Sequence, residues 1–400
     1  MTAATDGVPG AAGAAGAAAS ERRDAGGGGG QRSAPATGDI VLSATDIWVD
    51  YNGPRVNHAV RGVSLDLRRG EVLGIAGESG CGKSTLVYAM TRLLRPPARL
   101  ARGTVRFYGR DGAPVDVMAL SDAELRRWRW AKVSMVFQSA MNALNPVTTL
   151  RRQFSDIFRE HLPDMTSADR DERARELLDL VGIDPSRLRD YPHQLSGGMR
   201  QRVNIAMALA LRPEVVVMDE PTTALDVAVQ REILDEVAWL SEELGFSVIF
   251  ITHDLSLLLE ISDRLAVMYA GEVIEFAPAK QIRLAPAHPY TRGLLRSTPT
   301  LRGGRTELRG VAGYPPDLRN VITGCSFRDR CEFSFEPCTD QHPDLHPLRA
   351  GRLRAVTEPA AARQVACHLY DPALGPAALP DALAGDGSNE EESDGNGTDS

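Results

Sequence analysis

The spacing of apolar and polar residues divides the chain into segments with different predicted secondary structure. From Ile40 the pattern is typical of strands, first in ATDIWVDY at 44–51 and then in VRGVSLDLRRGEVLGIAG at 60–77, where the last apolar run is bounded by glycines. KSTLVYAMTRLL at 83–94 has helical apolar spacing and stops before two prolines. Short apolar runs at 104–108, 133–137, 215–219 and 247–252 predict further strands. Strands that alternate with helices in this way predict an α/β fold with a mostly parallel sheet.

A polar, helical stretch interrupts this alternation. Within it, DERARELLDLVGI at 171–183 carries leucines at helical spacing, and Gly182 and Pro185 mark where that helix ends. We therefore predict an inserted helical subdomain at about 140–205, inside a larger unit that covers residues 39–279.

Both ends of the chain differ from this unit in composition. Residues 1–38 are rich in Ala, Gly and Ser, and such a segment cannot bury enough apolar surface to offset the entropy lost on ordering, so we predict a disordered leader. Residues 280–376 are rich in Pro, Arg and Cys with weak periodicity, which predicts a small separate C-terminal region. We interpret residues 377–400 as a disordered acidic tail.

Composition and charge exclude several classes of protein. The formal net charge is −8, and residues 381–400 hold seven acids with no Lys or Arg, so the rest of the chain is near neutral and lacks the basic character of a nucleic-acid-binding protein. No apolar run approaches the roughly 18 residues that a membrane-spanning helix needs. The N-terminus lacks the basic-then-apolar order of a secretory signal, and we expect the chain to stay in the cytoplasm.

A phosphate-binding loop is predicted by GESGCGKS at 77–84, which has Gly77, four residues, and then Gly82, Lys83 and Ser84. It follows an apolar strand and opens a helix, where backbone N–H groups and the helix N-terminus attract phosphate. We expect Lys83 to contact the β- and γ-phosphates and Ser84 to bind Mg²⁺. The alternative is an ordinary Gly-rich turn. The other predicted nucleotide-binding residues in and beside the loop are Ser79, Gly80, Cys81 and Thr85.

Cys81 and two acidic residues carry further expectations about this site. A helix N-terminus can lower a thiol pKa, which would suit a redox switch, but we favour Cys81 as a residue that only fills the loop. VVVMDE at 215–220 is a buried strand ending in two acids. We expect Asp219 to reach the same Mg²⁺ as Ser84, and Glu220 to accept a proton from the water that attacks the γ-phosphate.

With LSGGMRQR at 195–202, the chain resembles the ATP-binding-cassette (ABC) family. Tyr51 matches the aromatic residue that stacks on adenine, although an aromatic at a strand end is also common in a protein core. Gln138, at the end of MVFQ, matches the glutamine that senses Mg²⁺ and the attacking water, and His253, after SVIFIT, matches the switch histidine. The remaining matches are the signature residues Ser196, Gly197 and Gly198, and Asp226 in TALD.

The resemblance implies how two such chains work together. Ser196 and the two glycines open an amphipathic helix, so that free N–H groups and a hydroxyl form an anion site at its N-terminus. Because the chain already has one phosphate loop, this second site is expected to complete the nucleotide site of a partner. In the family, two cassettes enclose two ATP molecules head to tail.

Longer segments are similar to the ATPase subunits of oligopeptide and dipeptide importers, including nickel-type importers. They are the whole stretch YPHQLSGGMRQRVNIAMALALRPEVVVMDEPTTALDVAVQ, then ALNPVTTL, HPYTRGLL, YPPDL and GCSFRDRC. The resemblance implies import of peptides, or of nickel or another small solute. The implied partners are a second and different ATPase subunit, two membrane permeases and, indirectly, an extracytoplasmic peptide-binding protein, with this chain at the cytoplasmic face of the membrane. The rival functions are a soluble ABC ATPase that acts on nucleic acid or ribosomes and a cluster-based sensor regulated by nucleotide.

Four of the five cysteines lie close together in the sequence. Their spacing fits neither a paired CxxC zinc ribbon nor a common ferredoxin pattern, so the residues alone leave zinc, an iron–sulfur cluster or free thiols open. The family resemblance implies a four-iron four-sulfur (4Fe–4S) cluster. We consider His342 and His368 as substitute ligands, although surface positions are the simpler interpretation. The predicted cluster ligands are Cys325, Cys331, Cys338 and Cys367.

Overall fold

The structure of the chain is a computed structural model. It describes residues 39–110, 112–138, 143–223, 225–297, 310–348, 363–376, 378–380 and 383. The predicted leader at 1–38, and the predicted acidic tail apart from four of its residues, lie outside this set.

An eight-stranded sheet forms the centre of the molecule, with strand order β11-β12-β10-β9-β3-β8-β7-β6. From β9 to β6 neighbouring strands are parallel, as predicted, and β10, β11 and β12 extend the sheet with antiparallel pairs. All five residues of β3, of β7 and of β8 are buried, which is why each reads as a continuous apolar run. In chain order the strands of the protein are Ile40–Tyr51 (β1), Asn57–Arg68 (β2), Val72–Ala76 (β3), Ala98–Phe107 (β4), Val115–Asp116 (β5), Val133–Val136 (β6), Val215–Asp219 (β7), Ser247–Ile251 (β8), Arg264–Tyr269 (β9), Glu272–Pro278 (β10), His346–Pro347 (β11) and Gln364–Val365 (β12).

A second sheet of four antiparallel strands has the order β2-β1-β4-β5. Its inner face and the parallel sheet enclose one apolar core, which includes Leu42, Phe107 and Leu86. The sequence predicted strands here but not that they form a separate antiparallel sheet. The pairing of β1 with β4 joins strands that are separated in the sequence by β3 and α1, and it leaves no local signal, since apolar alternation looks the same in either sheet.

The first two helices pack in the core between the two sheets, whereas the next seven pack in a second core on the other face of the parallel sheet and build the inserted subdomain. They are Lys83–Met90 (α1), Asp122–Trp128 (α2), Leu150–His161 (α3), Ser167–Leu180 (α4), Gly197–Ala208 (α5), Val227–Leu244 (α6), Leu255–Ile261 (α7), Ala279–Leu284 (α8), Pro289–Arg296 (α9) and Pro337–Asp340 (α10). The helix predicted in 171–183 corresponds to α4, which begins at Ser167 and ends at Leu180, before Gly182 as expected.

The helix predicted at 83–94 is shorter than expected, because α1 ends at Met90. Arg92 has a left-handed backbone with φ of 53°, and the Leu93 N–H donates to the Tyr88 carbonyl. This hydrogen bond closes the helix end before the prolines are reached. Among the described residues, no helix combines the length and the apolar character that crossing a bilayer requires.

The C-terminal region packs directly against the larger unit. Tyr290 and Phe327 are buried beside Tyr269 of β9, with ring centroids 4.7 to 5.4 Å apart. Strand β12 pairs with β10, so this region also extends the central sheet. Leu379 and Leu383, from the segment predicted to be a disordered tail, pack against a small apolar cluster that includes Leu369.

Candidate active site

The phosphate loop connects β3 to α1, as the sequence predicted. Gly77 has φ of +147°, and a Cβ there would lie 2.3 Å from the Met268 carbonyl oxygen. At Gly82, with φ of +106°, a Cβ would lie 2.4 Å from the Ala59 carbonyl oxygen. Only glycine fits these two positions. No side chain caps the N-terminus of α1, whose N–H groups are therefore available to an anion.

Lys83 is held over the first residues of the loop. Its side chain is buried, and Nζ donates to the carbonyl oxygens of Gly77 at 2.7 Å and Glu78 at 2.9 Å. Ser79 and Gly80, at the tip of the loop, are exposed, and nothing lies within 4 Å of a Cβ built on Gly80. The loop thus presents an open face and a buried cation to a triphosphate.

Cys81 is buried within the loop, 3.8 Å from Lys83 Nζ. Burial raises the pKa of its thiol, and the nearby ammonium only partly opposes this effect. A thiolate at neutral pH is therefore not favoured, which supports Cys81 as loop filler rather than a redox switch.

Asp219 and Ser84 meet where we expected a Mg²⁺ site. The Ser84 hydroxyl donates to Asp219 Oδ1 at 2.8 Å, and Asp219 is fully buried at the end of β7. Burial raises the pKa of Asp219, with the Ser84 hydrogen bond opposing it. Ionising a buried carboxylate is costly, and a divalent cation beside it would offset that cost. Carboxylate and hydroxyl oxygens are also ligands that hard divalent cations prefer, so these residues fit Mg²⁺.

Glu220, Gln138 and His253 converge at the same sheet edge. Gln138 Nε2 donates to Glu220 Oε2 at 2.8 Å, and His253 Nδ1 lies 3.5 Å from Glu220 Oε1. Glu220 has a left-handed φ of 47°, so the chain turns sharply after β7. Such strain in a non-glycine residue is typical of functional sites. Thr223, which the sequence analysis missed, also donates to Glu220, at 3.2 Å.

Tyr51 ends β1 beside α1. Its hydroxyl lies 3.1 Å from Thr85 Oγ1, so the ring is attached to the helix that follows the phosphate loop. The predicted adenine-stacking residue and the predicted phosphate-binding residues therefore border one site.

Ser196 and Asp226 each lie at the N-terminus of a helix, α5 and α6 respectively. Ser196 Oγ accepts from the Met199 N–H at 3.3 Å, and Asp226 Oδ1 accepts from the Val229 N–H at 3.0 Å. Their two helices touch closely, since a Cβ on Gly198 would lie 2.7 Å from Val229 Cγ1. In the described residues, neither side chain bonds to the phosphate loop, as expected if both serve a different nucleotide.

The four C-terminal cysteines lie near one another, but the iron–sulfur prediction is not supported by their arrangement. Burial, and to a smaller extent neighbouring thiols, raises the pKa of Cys325 to about 12 and that of Cys331 to about 11. Burial also raises the pKa of Cys367, with a smaller contribution from the other three thiols. In the part of the chain that the structure describes, no three Cys, His, Asp or Glu side chains form a group that could hold a metal ion.

Both histidines considered as substitute ligands have other partners. His342 Nε2 lies 2.9 Å from Glu272 Oε1, and His368 Nε2 lies 2.8 Å from the Gln341 carbonyl oxygen. His342 is exposed, in line with the surface interpretation, whereas His368 is buried and not a surface residue.

Comparisons with known proteins agree with this geometry. A family profile described as "ABC transporter" matches residues 60–223. The dipeptide transport ATP-binding protein DppD of Bacillus subtilis is 44% identical over 308 residues, which covers 76% of this chain and 90% of that protein. The chain is a member of the ABC transporter ATPase family. It therefore binds ATP and hydrolyses it.

Other matches specify the branch of the family and the fold. A profile described as "Oligopeptide/dipeptide transporter, C-terminal region" matches residues 274–338 of this ABC ATPase. The oligopeptide transport ATP-binding protein OppD of Salmonella typhimurium is 39% identical over 329 residues, covering 82% of this chain and 96% of that protein. The dimeric ATP-binding cassette MJ0796 in a post-hydrolysis state with ADP and Pi has a TM-score of 0.52 and 29% identity, covering 60% of this chain and 98% of that one.

Proposed function

We propose that this ABC ATPase drives the import of oligopeptides or dipeptides through a membrane permease. The observation that carries the proposal is the convergence of Glu220, Gln138 and His253 beside the phosphate loop, in a chain whose C-terminal region matches the peptide-transporter profile. The relatives are named as dipeptide and oligopeptide transport ATP-binding proteins.

Each residue of the site has a role that follows from its position. The loop amides and Lys83 bind the triphosphate, while Ser84, Asp219 and Gln138 would hold Mg²⁺. When bound, Mg²⁺ neutralises charge on the phosphate oxygens. Glu220 accepts the proton of the attacking water, and Gln138 and Thr223 orient its carboxylate. His253 lies on the opposite side of the carboxylate, where the γ-phosphate is expected.

The site is completed by a second ATPase subunit, which we propose is a different chain. Ser196, Gly197 and Gly198 would contact the triphosphate bound by that partner, and Asp226 would lie between the two subunits. Support comes from the hydrogen bonds of Ser196 and Asp226, which lie within their own helices and, among the described residues, do not reach this chain's own phosphate loop. Two permeases would dock near Gln138 and the helical subdomain, which places the chain peripherally at the cytoplasmic face of the membrane, with an extracytoplasmic binding protein acting through the permeases.

Affinity purification from detergent-solubilised membranes tests this assembly. A tagged chain should recover two permeases and a second ATPase subunit. Vesicles reconstituted with the assembly should take up peptide when ATP is supplied on the ATPase side, and the Glu220→Gln assembly should not. Recovery of ribosomes or nucleic acid instead, or uptake of nickel but not peptide, would contradict the proposal.

We further propose that the four C-terminal thiols bind a 4Fe–4S cluster that stabilises this region. The support is the resemblance to importer ATPases with the same C-terminal cysteines and not the arrangement of the thiols, although Cys325, Cys331 and Cys367 each have a pKa that is raised by at least one other of the four. Anaerobic purification should yield brown protein with about four irons per chain, as one cubane requires. Colourless protein with one zinc, or with no metal, would overturn this assignment.

A further inference from the structure

The phosphate loop is held from outside by the C-terminal region. Glu78, the second residue of the loop, donates its backbone N–H to the Tyr290 hydroxyl at 2.9 Å. Its carboxylate accepts two hydrogen bonds from Arg330, each 2.8 Å long, one to each oxygen. The two residues are 252 positions apart in the sequence. A residue of the nucleotide site is thus held in position by a part of the chain that lies outside the ATPase motifs.

The Arg330 guanidinium is held in place by several contacts besides the one with Glu78. Its side chain is 4% exposed, and it donates to the carbonyl oxygens of Ala312 at 2.8 Å and Val311 at 3.0 Å. Its Cζ lies 5.6 Å from the ring centroid of Tyr269 and 5.9 Å from that of Phe327. A planar, bidentate group held in this way imposes one position on the carboxylate that it binds.

The position of Glu78 matters because of what lies beside it. Lys83 Nζ donates to the Glu78 and Gly77 carbonyl oxygens, so the main chain that carries Glu78 also positions the loop cation. Without Arg330, the Glu78 carboxylate would be an unpaired negative charge next to a triphosphate site and a competing partner for Lys83. An unpaired carboxylate in a partly buried site opposes the binding of a ligand that carries the same sign of charge.

We propose that Arg330 is a positioning residue of the nucleotide site: by neutralising and fixing Glu78, it keeps the phosphate loop in the conformation that binds the triphosphate. Through this one ion pair the C-terminal region sets the affinity of the cassette for nucleotide. The proposal holds for any transported solute and does not depend on the metal content of the cysteine cluster.

The test measures Mg²⁺–ADP affinity of the full-length chain by calorimetric titration, together with KM for ATP and kcat in the assembled transporter. Arg330→Met is expected to weaken ADP binding by about tenfold or more, because it leaves the Glu78 carboxylate unpaired. KM should rise in parallel, whereas kcat at saturating ATP should stay near wild type, since Glu220, Gln138 and His253 are untouched. The double variant Glu78→Gln/Arg330→Met removes both charges and should return the affinity to within about threefold of wild type.

Arg328→Met is the matched control, because Arg328 also ties the C-terminal segment together but does not contact the loop. It donates to the carbonyl oxygens of Thr323 and Thr339. The ADP affinity of the Arg328→Met variant should equal that of wild type. The proposal is overturned if Arg330→Met binds ADP normally, if Arg328→Met weakens binding equally, or if the double variant is as weak as Arg330→Met. Either of the last two results would assign the effect to the folding of the C-terminal region.

Discussion

At the scale of single residues, Glu220 shows how a strained backbone and three neighbours define one chemical role. Its positive φ directs the carboxylate away from β7 and towards Gln138, Thr223 and His253. The carboxylate is therefore fixed at the sheet edge beside the phosphate loop, where we propose that the attacking water lies.

Glu220→Gln should bind ATP with wild-type affinity and lose at least about 10²-fold in turnover, because the amide keeps the shape of the side chain but accepts no proton. Turnover of the assembled transporter and ATP binding by equilibrium titration measure the two effects. Glu172→Gln, at an exposed position of α4, is the matched control and should turn over normally. Wild-type hydrolysis by Glu220→Gln would exclude Glu220 as the base.

At the scale of elements, α5 and α6 pack so closely that there is no room for a side chain at Gly198 of α5. A Cβ on Gly198 would lie 2.7 Å from Val229 Cγ1, and Val229 is β-branched and has few rotamers with which to move away. The helix that begins at the signature and the helix that begins at Asp226 therefore keep a fixed spacing.

Gly198→Ala should destabilise the protein by about 1–3 kcal/mol through overpacking, more than the gain of about 1 kcal/mol expected from replacing glycine in a helix. Gly198→Ala/Val229→Ala removes the clash and should recover the stability that the single change loses. Urea unfolding followed by circular dichroism measures both. If Gly198→Ala were more stable than wild type, the close packing of the two helices would be wrong.

Glu214, which directly precedes β7, connects the two sheets. Its carboxylate accepts from Arg69 at 2.8 Å, beyond the end of β2, and from Lys132 at 3.2 Å, just before β6. Burial acts to raise the pKa of Glu214, but these hydrogen bonds outweigh it and hold the pKa below the ordinary value of 4.5. The charged form is therefore favoured by folding.

A depressed pKa means that this stabilisation is present above about pH 4.5 and is lost as the pH falls through the lower folded-state value. Glu214→Gln should cost about 1–3 kcal/mol at neutral pH. The difference in melting temperature between wild type and Glu214→Gln should be constant from about pH 7 to about pH 5 and should shrink at lower pH. A difference that grows on acidification would show that the sign of the shift is wrong.

At the scale of the whole molecule, one chain offers two separate anion-binding helix N-termini. The first, at α1, belongs to its own phosphate loop, and the second, at α5, carries the exposed Ser196. In the proposed function a single polypeptide uses only the first for the nucleotide that it holds, and the second serves the nucleotide of a partner.

Ser196→Arg should leave ADP binding by the isolated chain unchanged and should abolish most of the turnover of the assembled transporter, because the long side chain would block the partner's triphosphate. Ser167→Arg, an exposed serine at the start of α4, is the control and should support normal turnover. Full activity of the Ser196→Arg assembly would mean that the signature does not contact nucleotide.

The sequence by itself determined the parallel sheet, the phosphate loop and the order of the catalytic motifs. Buried strands read as apolar runs, and glycines at Gly77 and Gly82 are required by the local backbone, so each feature leaves its mark within a few residues. The same local logic predicted the end of α4 correctly, but it placed the end of α1 too late, because a left-handed residue stopped that helix before the prolines did.

Only the tertiary structure decided which distant residues meet. The antiparallel sheet, the close contact of Gly198 with Val229 and the pairing of Arg330 with Glu78 all join segments that are separated in the sequence. Such contacts depend on which distant segments pack against each other when the chain folds. Neither apolar periodicity nor a short motif carries that information. The phosphate loop could be read from eight consecutive residues, but what holds it in place could not.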